Sequence, residues 1–339
     1  MALWTDIITP ADLTGYARES LAAYELRQGS LARWLPNREI PGLEARFIAG
    51  RAGLVEEARW RAYDAEPELG KRQPAKRTIL EMPAIGQNIP ITEYEQLLTR
   101  GADDDQMLSA ILSTTESLVR GIVDSMERLR GVVINTGKAT IAQDNFKTDD
   151  DFGRSPSHSV TLADLWDDPA ADRLADLQGL VDIYVESNGV EPGAILASRR
   201  VIRALAAGDQ FQTQLLNGGA RPATAGDVDT IISGAGLPPI ERYDRRTKSG
   251  RVLPDNRLWL LPAPVDPNDF DGTELGASFW GQTLTSMLPD FEIAAAEQPG
   301  IVVGTYRNEK PPAIAEVISD AIGMPVLANA DLSLVATVL

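Results

Sequence analysis

Residues 104–133 carry one helical pattern, and no other stretch constrains the fold as strongly. Leu108, Ile111, Leu112, Leu118, Val119, Ile122, Met126, Leu129 and Val133 form a single apolar stripe. Glu116, Arg120, Asp124, Glu127, Arg128 and Arg130 lie mostly off it. Asp103, Asp104 and Asp105 stand where negative charge complements the helix dipole. Such a helix is roughly 40 Å long, far above the average. The stripe keeps no sustained heptad and occurs once, which favours a single long helix packed along a sheet over a coiled coil.

The flanks differ in character. Thr9-Pro10-Ala11-Asp12 reads as a cap, a proline at the first helical position and an acidic first turn; Leu13, Tyr16, Ala17, Leu21 and Tyr24 follow at helical spacing. This short amphipathic segment, ending at Trp34-Leu35-Pro36-Asn37, either docks within its own subunit or reaches a neighbour. Residues 40–92 hold short strand-like pieces (43–49, 54–63 and 77–82) separated by Gly and Pro, with a polar tract at 64–74. Glu56, Glu57, Asp64, Glu66 and Glu68 precede Lys71, Arg72, Lys76 and Arg77, and a long hairpin brings the two sets together. With few large apolar residues, this stretch reads as a protrusion.

Beyond Gly137 the pattern turns to strands and loops through Trp166. Two helical stretches then flank a short buried strand at Gly193-Ala194-Ile195-Leu196-Ala197. A helix at 226–233, a segment at 238–243 and a hairpin around Thr247-Lys248-Ser249-Gly250 lead into 252–261. Strands are expected at 278–287, 301–307, 313–322 and 324–339. The last ends on Leu332, Leu334, Val335, Val338 and Leu339, which must be buried.

A chain of 339 residues exceeds one compact domain, so two or more substructures are expected. Its 43% hydrophobic content fits a folded protein. No apolar run approaches the roughly 20 residues that span a bilayer, and residues 1–8 lack the features of a secretory signal. A soluble chain without membrane partners is the expectation. The absence of cysteine excludes disulfides, thiolate metal sites and a cysteine nucleophile. A net charge of -17 argues against an ordinary nucleic-acid binder, but permits a container whose inner wall repels DNA.

Searches for chemistry find little. His158, the one histidine, sits in a Ser-rich turn (155–159) with no Gly-x-Ser-x-Gly elbow, and reads as a loop histidine. Asp149-Asp150-Asp151 and the acidic stretch 266–274 lack the offsets of a calcium loop and read as solvated turns. Residues 131–138 imitate a phosphate loop, but five residues separate Gly131 from Gly137, and Ala139 replaces the Ser or Thr. Gly234-Ala235-Gly236 lacks the third glycine of a dinucleotide turn. Adjacent Glu56 and Glu57 are expected by chance among 49 acidic residues. No catalytic, cofactor-binding or metal-binding residue is expected.

Four features in order carry a resemblance. They are Gly137-Lys138-Ala139-Thr140 after the long helix, Asp151-Phe152-Gly153-Arg154 before the Ser-rich turn, Val252-Leu253-Pro254-Asp255-Asn256 before an apolar strand, and the apolar run 325–339. Together with the arm, hairpin and long helix, they resemble the Hong Kong 97 capsid fold of tailed-phage major capsid proteins. More specifically, the chain is similar to the lambda-type capsid protein E family. The resemblance implies an α+β fold with an N-arm at 1–36, an extended β-hairpin loop at 37–92, a peripheral domain at 93–168 and 275–322 with the spine helix 104–133, and an axial domain at 169–274 and 323–339. It implies self-assembly into hexamers and pentamers of an icosahedral virion shell around double-stranded DNA, formed in the host cytoplasm. Portal, scaffolding and decoration proteins are the further partners it implies, with non-specific contact to packaged DNA. The arm at residue 1 suggests a separate scaffold or a mature chain. Some relatives join a loop lysine to a neighbour's asparagine; Lys71, Lys76 and Asn329 are the nearest equivalents, but lambda-type relatives are not expected to cross-link. A cellular nanocompartment shell and a carboxylate-dependent hydrolase are the alternative readings.

Overall fold

The computed structural model describes residues 2–49, 76–98, 104–143, 146–168, 171–211, 223–267, 273–308 and 310–339. The expected strand at 54–63, the polar tract, Glu56, Glu57, Lys71 and Asp103 lie outside them. The elements begin with β1 (Ala2–Leu3), α1 (Pro10–Gln28), β2 (Asn37–Glu39), β3 (Glu44–Ala49), β4 (Lys76–Glu81), β5 (Ala84–Ile91) and α2 (Glu93–Leu98). Then come α3 (Asp104–Thr136), β6 (Lys138–Ala142), β7 (Lys147–Asp151), β8 (Ser159–Thr161), α4 (Arg173–Asn188), β9 (Ala194–Ala197), α5 (Arg199–Ala206) and α6 (Ala225–Gly234). The rest are β10 (Ile240–Arg242), β11 (Arg246–Thr247), β12 (Gly250–Arg251), β13 (Arg257–Leu261), β14 (Gly276–Gly281), β15 (Val302–Arg307), β16 (Ala315–Leu327) and β17 (Leu334–Thr337).

Two sheets organise the chain. One has the order β1-β15-β16-β14-β2, with β5 added on β16; the other has the order β10-β9-β13-β17-β8. Hairpins β3–β4, β6–β7 and β11–β12 form separate two-stranded ribbons. The base of the expected protrusion is present: Glu44 pairs with Glu81 and Ala49 with Lys76. Strand β5, which the residue pattern does not single out, runs antiparallel to β16.

The helix α3 spans 33 residues, about 50 Å, and serves both sheets. Ile111, Leu118, Val119, Ile122, Val123 and Met126 are buried in one core with Leu13 and Ala17 of α1, Val303 of β15 and Val317 of β16. Leu129, Val133 and Ile134 enter the other core, beneath the five-stranded sheet. Small residues let the helix approach closely. A Cβ at Gly121 would lie 2.6 Å from Gln87 Oε1, and one at Gly131 would lie 2.6 Å from Val252 Cγ1. Gly131 thus serves packing, in keeping with the rejected phosphate loop.

The N-terminal segment docks within its own subunit. Thr9 caps α1 by accepting from Asp12 N. Tyr16 Oη donates to Glu116 on α3 at 2.7 Å, and Arg18 donates to the carbonyls of Ile301 and Pro299. Three strand expectations need correction. The strand expected at 278–287 ends at Gly281, because Thr283 Oγ1 accepts from Ser286 N and turns the chain. The strands expected on either side of Gly323 are one, β16, since Gly323 marks a close approach: its Cβ would lie 2.9 Å from both Met126 Cε and Phe279 O. The C-terminal run then leaves the first sheet at a 3-10 turn, Ala330–Leu332, and enters the second as β17.

Candidate assembly surfaces and the buried lock beneath them

The most concentrated polar chemistry is closed from solvent. Arg130 is fully buried, with Glu127 one turn before it and Glu25 of α1 opposite. Its Nη1 donates to Glu25 Oε1 at 2.6 Å, to Glu127 Oε2 at 3.2 Å and to Ser30 Oγ at 3.2 Å. Its Nε donates to Ser278 Oγ at 2.8 Å and its Nη2 to Asn37 Oδ1 at 2.6 Å. Glu127 also accepts from Leu31 N at 2.8 Å and from Tyr243 Oη at 2.6 Å. Arg245 reaches Asp124 at 2.9 Å. Burial lowers the Arg130 pKa, but Glu25 and Glu127 outweigh it and hold it above its ordinary value. Burial and the neighbouring Glu127 carboxylate push the Tyr243 phenol well up, so it stays a donor.

This cluster joins α1, β2, α3, β14 and the chain after β10. Its members share every buried charge among themselves, so it acts as a lock and exposes no free acid or base. The residue pattern places Glu127 and Arg130 on the polar side of α3, which reads as solvated. The structure covers that side with residues 25–37. The available signal was the i, i+3 spacing of opposite charges beside an N-terminal helix that needed a partner.

The motifs behind the family resemblance meet at the far end of α3. Gly137 has φ +72°, and a Cβ there would lie 2.9 Å from Arg154 Cβ. Arg154 donates to Ile134 O at 2.8 Å and Asn135 O at 2.7 Å, filling the last carbonyls of the helix. Burial pushes its pKa down to about 10. Asp151 Oδ1 accepts from Gly153 N, and Asp151 also pairs with Lys138 at 2.8 Å. Residues 149–151 are therefore strand β7, paired with β6, and not the expected loop turn. Val252-Leu253-Pro254-Asp255-Asn256 holds the C-terminus, with Asn256 O accepting from Val338 N and Leu339 N. Arg154→Ala should lower subunit stability by about 2 kcal/mol, read as a shifted urea midpoint; an unchanged midpoint would refute the capping role.

His158 stands in the one-turn 3-10 segment Pro156–His158 of the Ser-rich turn, but it is buried: its Nε2 lies 2.6 Å from Ser187 Oγ and its ring lies beside Tyr184. Asp331 and Arg154 are the charged groups nearest its electrostatic balance, and burial is the larger effect, pushing its pKa below the ordinary 6.5. The unfolded chain then takes up the proton first. The contribution to stability is full above the unfolded value and declines as pH falls through it towards the folded one. Between about pH 7.5 and about pH 5.5, wild type should lose more stability than His158→Gln, measured by urea unfolding. Equal losses would contradict this. Ser187 Oγ itself donates to Ile183 O within its helix.

Asn329, one candidate cross-link position, is buried, and its Oδ1 accepts from Asp331 N. No group of His, Asp or Glu fit for a metal is present among the described residues. No described helix is long and apolar enough to cross a membrane.

Apolar side chains that find no cover lie at the margins of the subunit. Leu284 is 83% exposed, with Met287 and Leu288 beside it in sequence; Leu26 and Tyr94 are each 70% exposed. Leu43, at the foot of the β3–β4 ribbon, is half exposed. Exposed apolar groups of this size, grouped in one turn at 284–288, suit burial against another protein.

Residues 48–269 match the sequence pattern of the family described as phage major capsid protein E. No curated protein matches the chain. The fold is similar to that of a provisionally named prophage capsid protein from Escherichia coli CFT073, which is 13% identical, with 98% of this chain and 99% of that one covered and a TM-score of 0.63. A phage-related protein from Bordetella bronchiseptica RB50 is 12% identical, covering 96% and 95% with a TM-score of 0.58. The capsid of cyanophage P-SCSP1u is 9% identical, covering 91% and 88% with a TM-score of 0.50. These likenesses establish the α+β capsid fold expected from the Hong Kong 97 resemblance. The family pattern extends over more than half the chain and includes the long helix, the Gly137 and Asp151 motifs and the stretch around Asp255: the chain belongs to the phage major capsid protein E family.

Proposed function

We propose that this major capsid protein builds its shell as homo-hexamers and homo-pentamers enclosing double-stranded DNA, as a structural subunit without an enzymatic role. Family membership carries the reading. The exposed turn at Leu284, Met287 and Leu288 supports it, since uncovered apolar side chains suit shared interfaces. In this reading residues 1–36 form the N-arm and 37–92 the extended loop. Residues 93–168 and 275–322 form the peripheral domain, and 169–274 with 323–339 the axial domain. The two sheets follow that division only in part: the first holds β14, β15 and the whole of β16, with β2 and β5 from 37–92, and the second holds β9, β10, β13 and β17, with β8 from 93–168. Scaffolding, portal and decoration proteins are the partners that such a shell would take, and the host cytoplasm its place of assembly.

The hydrolase alternative requires an accessible carboxylate pair. Glu25 and Glu127 are buried and balanced by Arg130 and Arg245, which favours the structural role. Leu284→Asp with Met287→Asp should leave a subunit that melts as wild type but loses about tenfold or more of its fast-sedimenting shells. Full sedimentation of that variant would sink the interface reading of the 284–288 turn.

A further inference from the structure

The chain leaves the first sheet at Leu327 of β16 and enters the second at Leu334 of β17, and we propose that this joint opens in acid, when His158 takes up a proton. The proposal concerns the single subunit and holds whatever that subunit assembles into. The joint is one 3-10 turn, Ala330–Leu332, closed by Leu332 N on Asn329 O at 3.3 Å and Ser333 N on Ala330 O at 3.1 Å. Much of its support comes from outside. Ser155 N donates to Asp331 Oδ1 at 2.7 Å, Asn188 Nδ2 to Asp331 O at 3.0 Å and Tyr184 Oη to Leu332 O at 3.3 Å. Arg154 Nη1 donates to Ser333 Oγ at 3.4 Å. The turn is thus clamped between α4 and residues 154–158.

His158 stands within this clamp. Its ring lies beside Tyr184, its Nε2 meets Ser187 Oγ, and the Asp331 backbone is placed to accept from the ring once it is protonated. Ser187 Oγ gives its one proton to the carbonyls of Ile183 and Tyr184, at 2.8 and 3.1 Å, so it accepts from the ring and Nε2 carries the imidazole proton. Nδ1 is then a bare lone pair. It is buried without a hydrogen-bond partner among the described residues, as is Oδ1 of Asn188, the side chain that holds the Asp331 carbonyl.

A second ring proton goes to Nδ1 and makes a cation inside the clamp. Asp331 favours that cation and Arg154 opposes it; Tyr184 stays neutral, its phenol pushed up by burial. Strands β8 and β17, which flank the turn, carry no charged residue, and Asp182 and Glu186 of α4 are exposed. Burial outweighs the help from Asp331, so the closed joint prefers the neutral ring. Opening returns the ring to water and to an ordinary imidazole affinity, so opening is promoted as pH falls below about 6.5. The way out is short, because Ser187 is itself exposed. What must part are the bonds of Asn188 and Tyr184 to the two carbonyls of the turn, while the ladders of β16 and β17 remain.

Hydrogen exchange of the unassembled subunit, read by mass spectrometry at about pH 7.5 and about pH 5 and corrected for intrinsic rates, tests this. In wild type, peptides covering 328–334 should lose about tenfold more protection than peptides of β16 and α3. His158→Gln, which can still reach Ser187, should lose that excess. Asp331→Asn should keep it, because the response belongs to the imidazole and not to the carboxylate. An unchanged acid response in His158→Gln would overturn the proposal, as would its absence in Asp331→Asn. A wild type that loses protection evenly over both sheets would also overturn it. The chain has one histidine, so its imidazole signal in isotope-labelled wild type can be followed by NMR without any substitution. Ring protonation and loss of protection at 328–334 should share one midpoint; midpoints more than about one pH unit apart would separate the ring from the joint and contradict the proposal, even if a variant folds poorly.

Discussion

Arg130→Met should destabilise the unassembled subunit by about 3–5 kcal/mol. The substitution leaves buried Glu25 without its cation and Glu127 with only the longer contact to Arg245 at 3.7 Å, and it leaves Ser278 Oγ without the donor it accepts from, while Asn37 Oδ1 keeps the Trp280 indole. The cost is that of a stranded buried charge and not of a missing attraction, because a buried pair taken as a whole is close to neutral against apolar replacements. Neutralising both partners in the same background, with Glu25→Gln and Glu127→Gln, should therefore recover at least about half of the loss. Glutamine at 127 can still accept from Leu31 N and Tyr243 Oη. Urea unfolding midpoints of the three proteins measure this. A single Arg130→Met variant within about 1 kcal/mol of wild type would show that the cluster is wetter or looser than its geometry indicates.

Deleting residues 334–339 should yield no folded subunit at all. Strand β17 lies between β13 and β8, pairing antiparallel with the first and parallel with the second. Leu334, Ala336 and Val338 are completely buried and Val335 nearly so. Losing the three larger side chains alone removes about 5–9 kcal/mol of apolar burial. Net stabilities of folded proteins are only about 5–15 kcal/mol, so little would remain even before the lost ladders are counted. The expected result is insoluble protein. A truncated chain that is soluble and melts cooperatively would show that the second sheet does not depend on β17.

The long helix was legible because its apolar stripe meets two cores in succession, so the periodic signal never lapses. The end of that helix was legible for a related reason. Gly137 must take a positive φ, and Arg154 must reach the last carbonyls, which leaves short, ordered motifs in the sequence. The lock around Arg130 was not legible as buried. A polar helix face covered by an N-terminal helix has the same residue pattern as one covered by water, and only the tertiary cover separates the two. The C-terminal run misled for another reason. Gly323 reads as a strand end when taken alone, yet it sits inside β16, where Met126 and Phe279 leave no room for a side chain. His158 was hidden because nothing local marks the approach of Ser187, a residue far along the chain.

The central claim, that this chain is a shell-forming subunit, is tested most directly by electron microscopy of the purified wild-type protein across protein and salt concentration. Closed, hollow particles of uniform size are expected, in which this chain is the main component. A compact monomer at every concentration and salt, with no particle formed, would contradict it.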